Sequence, residues 1–362
     1  MRHMERSGWM RPWGLAALLL TFWAPGPVDA AAWEPLQIGS VTAEPGTMAS
    51  GKLEIPATES DAGTYIPITL IRGAKPGKTL GLVAGVHGME YAPILAMQRL
   101  IGLVDPDELE GSIIVVHAAN VPAFFGRTIY VGPVDRKNLN RSFPGVPDGS
   151  LTERIAHTLT ERVIRHSDFV MDIHAGDGNE GLRPSYTGYY AEAGSPEVIA
   201  TSRAMAVAFG LDTIVEFRGD LTRESAIWCG SAAVALGIPS IDVESGEHGR
   251  TDDEYVDPIL TGVLSVLRHF DMLPGEPKPS AKPFFVAERA RVKSEHTGLW
   301  SPQPGVRAGD YVPEGARLGT VTNWFGEVLQ EIRAPAGGAL LILLETPPVS
   351  EGETLAVIAK VR

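Results

Sequence analysis

A single cysteine, Cys229, stands in 362 residues, so no disulfide can close within the chain and no Cys-x-x-Cys pair is present for metal or redox chemistry. Stability must then come from a packed apolar core. Neither a Gly-x-x-x-x-Gly-Lys-Ser/Thr loop nor a Gly-x-Ser-x-Gly elbow occurs, which removes the commonest nucleotide-binding and serine-hydrolase chemistries. Positive charge is also scarce. With 31 Lys and Arg against 44 Asp and Glu the net charge is −13 at pH 7, which argues against nucleic acid or an anionic membrane surface as partner. The apolar run at residues 13–24 is shorter than the roughly 20 residues a bilayer-spanning helix needs.

That run follows Arg2, Arg6 and Arg11 and leads to Val28-Asp29-Ala30. A basic start, an apolar middle and a small-residue exit mark a secretory signal peptide. Residues 1–30 are expected to be removed after Ala30, leaving a periplasmic or secreted chain of net charge −14 with no stable membrane anchor. What remains is 44% hydrophobic over the full sequence, with 40 glycines and 28 prolines, the composition of a loop-rich globular protein. Cys229 falls in an apolar stretch of helical character, 224–236, and reads as a buried packing residue, not a nucleophile.

From residue 79 onward, apolar runs of strand length alternate with longer segments of helical period: strands at 80–86, 113–117, 169–173, 213–217 and 240–243, and helices at 93–103, 152–165, 196–209, 224–236 and 252–270. This alternation predicts an α/β domain over 31–275, with a mixed, mostly parallel sheet covered by helices on both faces. The proline-dense stretch 271–283 reads as a stiff linker. Beyond it, residues 284–362 carry short apolar stretches punctuated by Pro-Gly and Gly-Asp turns, an all-β pattern. Its run from Gly298 through Gly338 resembles the barrel-sandwich fold of lipoyl and biotinyl carriers. The hairpin Ala334-Pro335-Ala336-Gly337-Gly338 lacks their modified lysine, so the module is expected to be structural.

The chemistry gathers at strand ends. Gly85-Val86-His87-Gly88-Met89-Glu90 ends one strand and opens a helix, and zinc accepts both imidazole nitrogen and carboxylate oxygen. Alone, the His-x-x-Glu pair is more often a capping turn than a pair of metal ligands. Phe169 to His174 ends a second strand in histidine, and in open α/β sheets ligands collect at the carboxyl ends of strands. Asp172 is either a structural acid or an orienting partner for His174. A third strand ends in Glu244-Ser245-Gly246, where a carboxylate beside a metal site can act as general base. The loop 135–145 contains Asn140 and Arg141, suited to hold a carboxylate, although an exposed basic turn would look the same. Tyr186, Tyr189 and Tyr190 follow His174 and are candidates either for pocket lining or for packing. His248 is the one further histidine near enough in sequence to reach the site.

Together, Gly85 to Glu90, Asn138 to Arg141, Asp172 to His174 and Glu244 to Gly246 resemble the succinylglutamate desuccinylase and aspartoacylase family, relatives of the zinc carboxypeptidases, over about residues 65–270. The resemblance implies one zinc ion per chain held by His87, Glu90 and His174, a substrate carboxylate held by Asn140 and Arg141, and Glu244 as catalytic base. An arginine that polarises the scissile carbonyl is implied as well; Arg127 is the candidate by position, with Arg136 in competition. The expected activity is deacylation of an N-acyl amino acid or a similar carboxylate-bearing small molecule. A metallocarboxypeptidase acting on short peptides and a non-catalytic periplasmic binding protein are the alternatives.

Overall fold

The computed structural model describes residues 33–219, 221–222 and 224–360; the expected leader at 1–30 lies outside them. No helix among the described residues is long and apolar enough to cross a membrane. A small hairpin of β1 (Leu36–Ile38) and β2 (Val41–Ala43) precedes the main sheet. In chain order the following elements are β3 (Thr47–Ile55), β4 (Thr64–Arg72), β5 (Lys75–Ala84), α1 (Tyr91–Leu100), β6 (Glu110–Val116), α2 (Val121–Gly126) and α3 (Leu151–Arg162). Then come β7 (Phe169–His174), β8 (Glu180–Leu182), β9 (Tyr186–Tyr190), α4 (Pro196–Phe209), β10 (Thr213–Phe217), α5 (Cys229–Ala235), β11 (Ser240–Glu244), α6 (Asp253–His269) and β12 (Phe284–Val286).

Nine of these strands form one sheet in the order β12-β10-β9-β11-β7-β5-β6-β4-β3. Its central pairs β11/β7, β7/β5 and β5/β6 are parallel, as are β12/β10 and β10/β9, whereas β9/β11, β6/β4 and β4/β3 are antiparallel. The sheet is thus mixed and mostly parallel. Side chains alternate between its faces. Leu80, Leu82, Met171, Ile173, Ile241 and Val243 pack under α1, α4 and α6, while Val83, Ile114, Val116 and Val170 pack under α3 and α5. With no disulfide, these two cores carry the stability, each fully buried aliphatic side chain contributing roughly 1.5–3 kcal/mol.

The same alternation decides where the chemistry lies. Val170, Asp172 and His174 face α3 and α5, and the register aligns Asp242 with Asp172 and Glu244 with His174 across β11/β7. Sequence reading expected strand character through residue 86; the strand instead ends at Ala84 because Gly85 turns the chain at φ +68. The helix expected over 224–236 is confined to Cys229–Ala235, since Asn140 Oδ1 accepts the Cys229 N–H at 2.9 Å and sets the start of the helix there. The tyrosine-bearing segment after His174 forms β9. Tyr186 and Tyr190 stand on the face of Glu244, and Tyr189 packs in the opposite core with its hydroxyl on Glu216.

The C-terminal residues form two facing sheets. One has the order β13 (Arg289–Lys293), β20 (Thr354–Lys360), β18 (Gly338–Leu344), β15 (Tyr311–Val312); the other has β17 (Val328–Arg333), β16 (Arg317–Thr322), β14 (Gly298–Pro302), β19 (Pro348–Val349). Between them Trp300, Leu318, Val321, Leu340, Leu343 and Ile358 are buried. Two strands tie this module to the main sheet. β12, just past the proline-rich stretch, adds to β10, and β8, just past His174, pairs with β18.

Gly88 shows how tightly the turn after β5 is packed. A Cβ there would lie 2.4 Å from the Ala123 carbonyl oxygen and 2.5 Å from that of Thr128, closer than real Cβ contacts allow. Gly88→Ala is expected to lower the melting temperature, measured by thermal denaturation. Away from the site, Arg154 of α3 and Asp61 make a buried ion pair at 2.6 Å, and Asp61→Asn should destabilise the fold by about 3–5 kcal/mol in denaturant titrations. Burial opposes ionisation of Asp61, but the Gly63 N–H and Arg154 outweigh it and hold its pKa below the ordinary value. The pair's contribution is therefore complete above the ordinary aspartate range and is lost as pH falls through the depressed pKa.

Candidate metal centre and pocket

Three side chains meet where β5 and β7 end. Glu90 occupies the N-cap position of α1 yet makes no capping bond; its carboxylate turns to the two imidazoles instead. Its Oε1 lies 2.7 Å from His87 Nδ1 and its Oε2 2.9 Å from His174 Nδ1. The imidazole rings are 5.2 Å apart, and one donor atom from each of the three residues falls within 4.8 Å of the others. All three residues are buried. This is a donor set able to hold a metal ion, and the only such cluster among the described residues.

The outward nitrogens are held as well. His87 Nε2 is 3.2 Å from Asn138 Oδ1, which also accepts the Asn140 N–H. His174 Nε2 is 3.0 Å from Asp172 Oδ1 and 3.2 Å from Asn140 Nδ2. Partners on Nε2 fix the ring orientation and leave Nδ1 directed inward. Burial disfavours charge on Glu90, yet the attraction of His87 and His174 outweighs it and holds its pKa at about 2. For His174, burial is likewise outweighed by Asp172 and Glu90, and its pKa is raised.

Glu244 sits beside His174 across β11/β7 and beside Tyr186 across β11/β9. Burial raises its pKa, with Glu90, Glu180 and Asp242 adding to the shift and His174 opposing it. Its Oε2 is buried without a hydrogen-bond partner. A carboxylate so placed is equipped to take a proton.

The other expected residues are distributed unevenly. Asn140 is buried with both ends of its amide engaged, Nδ2 toward His174 and Oδ1 with the Cys229 N–H. Arg141 remains partly exposed, with Nη1 donating to the Asn140 carbonyl and its guanidinium 5.5 Å from the Trp228 ring centre. Arg127 and Arg136 both lie exposed in left-handed backbone. Arg127 follows α2 and precedes Thr128, whose carbonyl packs on Gly88, so it leaves from backbone lying against the His87 turn. His248 reaches away from this cluster and faces Glu345 at 3.3 Å.

Sequence reading did not single out Tyr130, Asp177 and Glu180. The Tyr130 ring stands edge-on to His87 with centroids 5.9 Å apart; its N–H donates to Asp177 Oδ2 and its hydroxyl to Glu180 Oε1, both at 2.8 Å. Burial, followed by the charge of Glu90, lifts Asp177 to about 6. The polar pair in Asp177-Gly178-Asn179-Glu180, following a strand that ends in histidine, was the available signal.

Known proteins resemble this chain over most of its length. The model of the succinylglutamate desuccinylase/aspartoacylase catalytic domain matches residues 76–270. The chain is 31% identical over 325 residues to the N-alpha-acetyl-L-2,4-diaminobutyric acid deacetylase of Halomonas elongata, covering 86% of this chain and 90% of that one. The product-bound ectoine utilization protein EutE (DoeB) from Ruegeria pomeroyi superposes with a TM-score of 0.77 at 26% identity, over 87% of this chain and 95% of that one. A succinylglutamate desuccinylase/aspartoacylase from Rhodobacter sphaeroides gives 0.75 at 26% identity, over 87% and 96%. The chain therefore belongs to the succinylglutamate desuccinylase/aspartoacylase family, as an amide-bond hydrolase.

Proposed function

We propose that the protein is a zinc-dependent deacylase of N-acyl amino acids, with His87, Glu90 and His174 as metal ligands. The observation that carries this reading is the convergence of two Nδ1 atoms on the two oxygens of one buried carboxylate, each ring held from behind. Two imidazoles and a carboxylate, leaving a position open, are the donors catalytic zinc uses. When bound, zinc supplies Lewis-acid polarisation of the amide carbonyl and acidification of water. The Halomonas elongata relative, named for removing an acetyl group from an amino acid, supports the substrate class.

The chain's own residues supply the rest. Glu244 takes the proton of the attacking water and delivers it to the departing amine, so that the amine leaves neutral. Arg127 assists at the carbonyl oxygen, where negative charge develops. Arg141, on the far side of Asn140, holds the substrate carboxylate. Asn140 positions His174 and the start of α5. The basic, apolar and small-residue order of residues 1–30 supports activity outside the cytoplasm.

Glu244→Gln should keep its zinc and its fold while losing roughly 10²–10⁴-fold in kcat on N-acetyl amino acids; near-normal turnover would remove Glu244 from the base role. Chelation should abolish hydrolysis and added zinc restore it, with the circular dichroism spectrum unchanged, since the proposed ligands lie outside the two apolar cores that carry the stability. Parallel assays with N-acetyl amino acids and dipeptides separate deacylase from carboxypeptidase: faster cleavage of the dipeptides would favour the latter.

A further inference from the structure

A cleft of about 820 Å³ opens between the turn of the β1/β2 hairpin, the edge strand β3 and the helix α3. The chain runs from α3 through His166 into β7, so this cleft lies at the start of β7, whereas His174 and the other proposed metal ligands lie at its end. The two sites are separate. In a chain of net charge −13, the cleft is lined by more cations than acids. Lys52 enters from β3, and His157, Arg162, Arg165 and His166 enter from α3 and the turn that follows it. Of the two acids on the wall, Glu54 and Glu161, the second is taken up by Arg165 at 2.8 Å. Arg162 makes no ion pair among the described residues. The Lys52 ammonium rests 3.9 Å from the centre of the Tyr65 ring, with no carboxylate upon it.

A second observation falls on the same side of α3. Arg154 precedes Thr158 by one helical turn and Glu161 and Arg162 by about two, so the four side chains share one face of the helix, and the Thr158 hydroxyl donates to the Arg154 carbonyl at 2.8 Å. The Arg154 side chain is only 8% exposed and gives Nη2 to Asp61. Its Nε and Nη1 are buried without an acceptor. Donors on a buried guanidinium are costly when unmatched, and an oxyanion at the inner end of the cleft supplies what they lack.

We infer that this cleft binds a doubly charged oxyanion of the phosphate type, free or carried on a small organic molecule, with Lys52 and Arg162 at its mouth and Arg154 at its inner end. Guanidinium groups match the oxygens of such an anion in geometry as well as charge. The volume exceeds what a bare phosphate fills, which leaves room for a carrier. This site is independent of the deacylase reading, since none of its residues belongs to the metal cluster or to the Asn140–Arg141 turn.

The test is a calorimetric titration of the full chain with inorganic phosphate, glycerol 3-phosphate and acetate at fixed ionic strength. The wild type should bind both phosphates and not acetate. Tighter binding of glycerol 3-phosphate than of inorganic phosphate identifies an organic carrier as the ligand; equal binding identifies the free ion. The double variant Lys52→Met with Arg162→Met should weaken phosphate by at least about tenfold, the lower range for hydrogen bonds to charged groups. Arg141→Met and prior chelation should leave the affinity unchanged, because neither touches the cleft. Both altered residues are exposed, so an unchanged melting temperature in the double variant separates lost binding from lost structure. No phosphate binding in the wild type, an affinity unchanged in the double variant, or one lost in Arg141→Met instead would overturn the inference.

Discussion

The carboxylate of Glu90, held between two imidazole nitrogens, is the constraint to which the rest of the pocket conforms. It joins the end of β5 to the end of β7 and keeps charge at a depth where a lone carboxylate would take up a proton. The backbone answers to it. Gly85 turns the chain sharply so that His87 can face Glu90, Gly88 lets α2 approach, and α1 begins without a side-chain cap because its capping carboxylate is committed elsewhere. Behind the rings, Asn138, Asn140 and Asp172 fix which nitrogen faces inward. Orientation is thus supplied by one neutral amide on His87 and by an amide and an acid on His174.

One loop serves several ends of this arrangement. The short 3-10 turn Leu139–Arg141 places Asn138 behind His87, Asn140 between His174 and the first N–H of α5, and Arg141 over Trp228. A shift in that turn would reach both histidines and the start of α5 together. Activity and the seating of α5 are therefore coupled through Asn140, whose amide spans 89 residues of sequence to do so.

Much of the fold and of the candidate site was legible in the sequence, for identifiable reasons. Near-continuous apolar strands alternating with helical periods predicted the parallel centre of the sheet, and His87, His174 and Glu244 stood out because each ends such a strand. What escaped notice depends on contacts distant in sequence. β9 was hidden because tyrosines occupy both of its faces, which erases the alternation that marks a half-buried strand. The antiparallel insertion of β9 between β11 and β10 follows from tertiary pairing that no local pattern encodes. Tyr130 and Glu180 are ordinary loop residues until they are seen 2.8 Å apart beside His87. The start of α5 is likewise fixed in part from far away, by Asn140 on the Cys229 N–H, beside the Trp228 N–H that its own Ser231 accepts.

The pairing of β8 with β18 has a consequence for the autonomy of the two halves. Glu180 holds Tyr130 beside His87, and Glu180 is itself held in register opposite Leu344 of the C-terminal module. Glu345, the next residue, donates its N–H to the Asn179 carbonyl and faces His248 in the loop after Glu244. The module is consequently a splint for two loops of the site, and a chain shortened to its hydrolase half would retain every proposed metal ligand while losing β18, against which those loops are set.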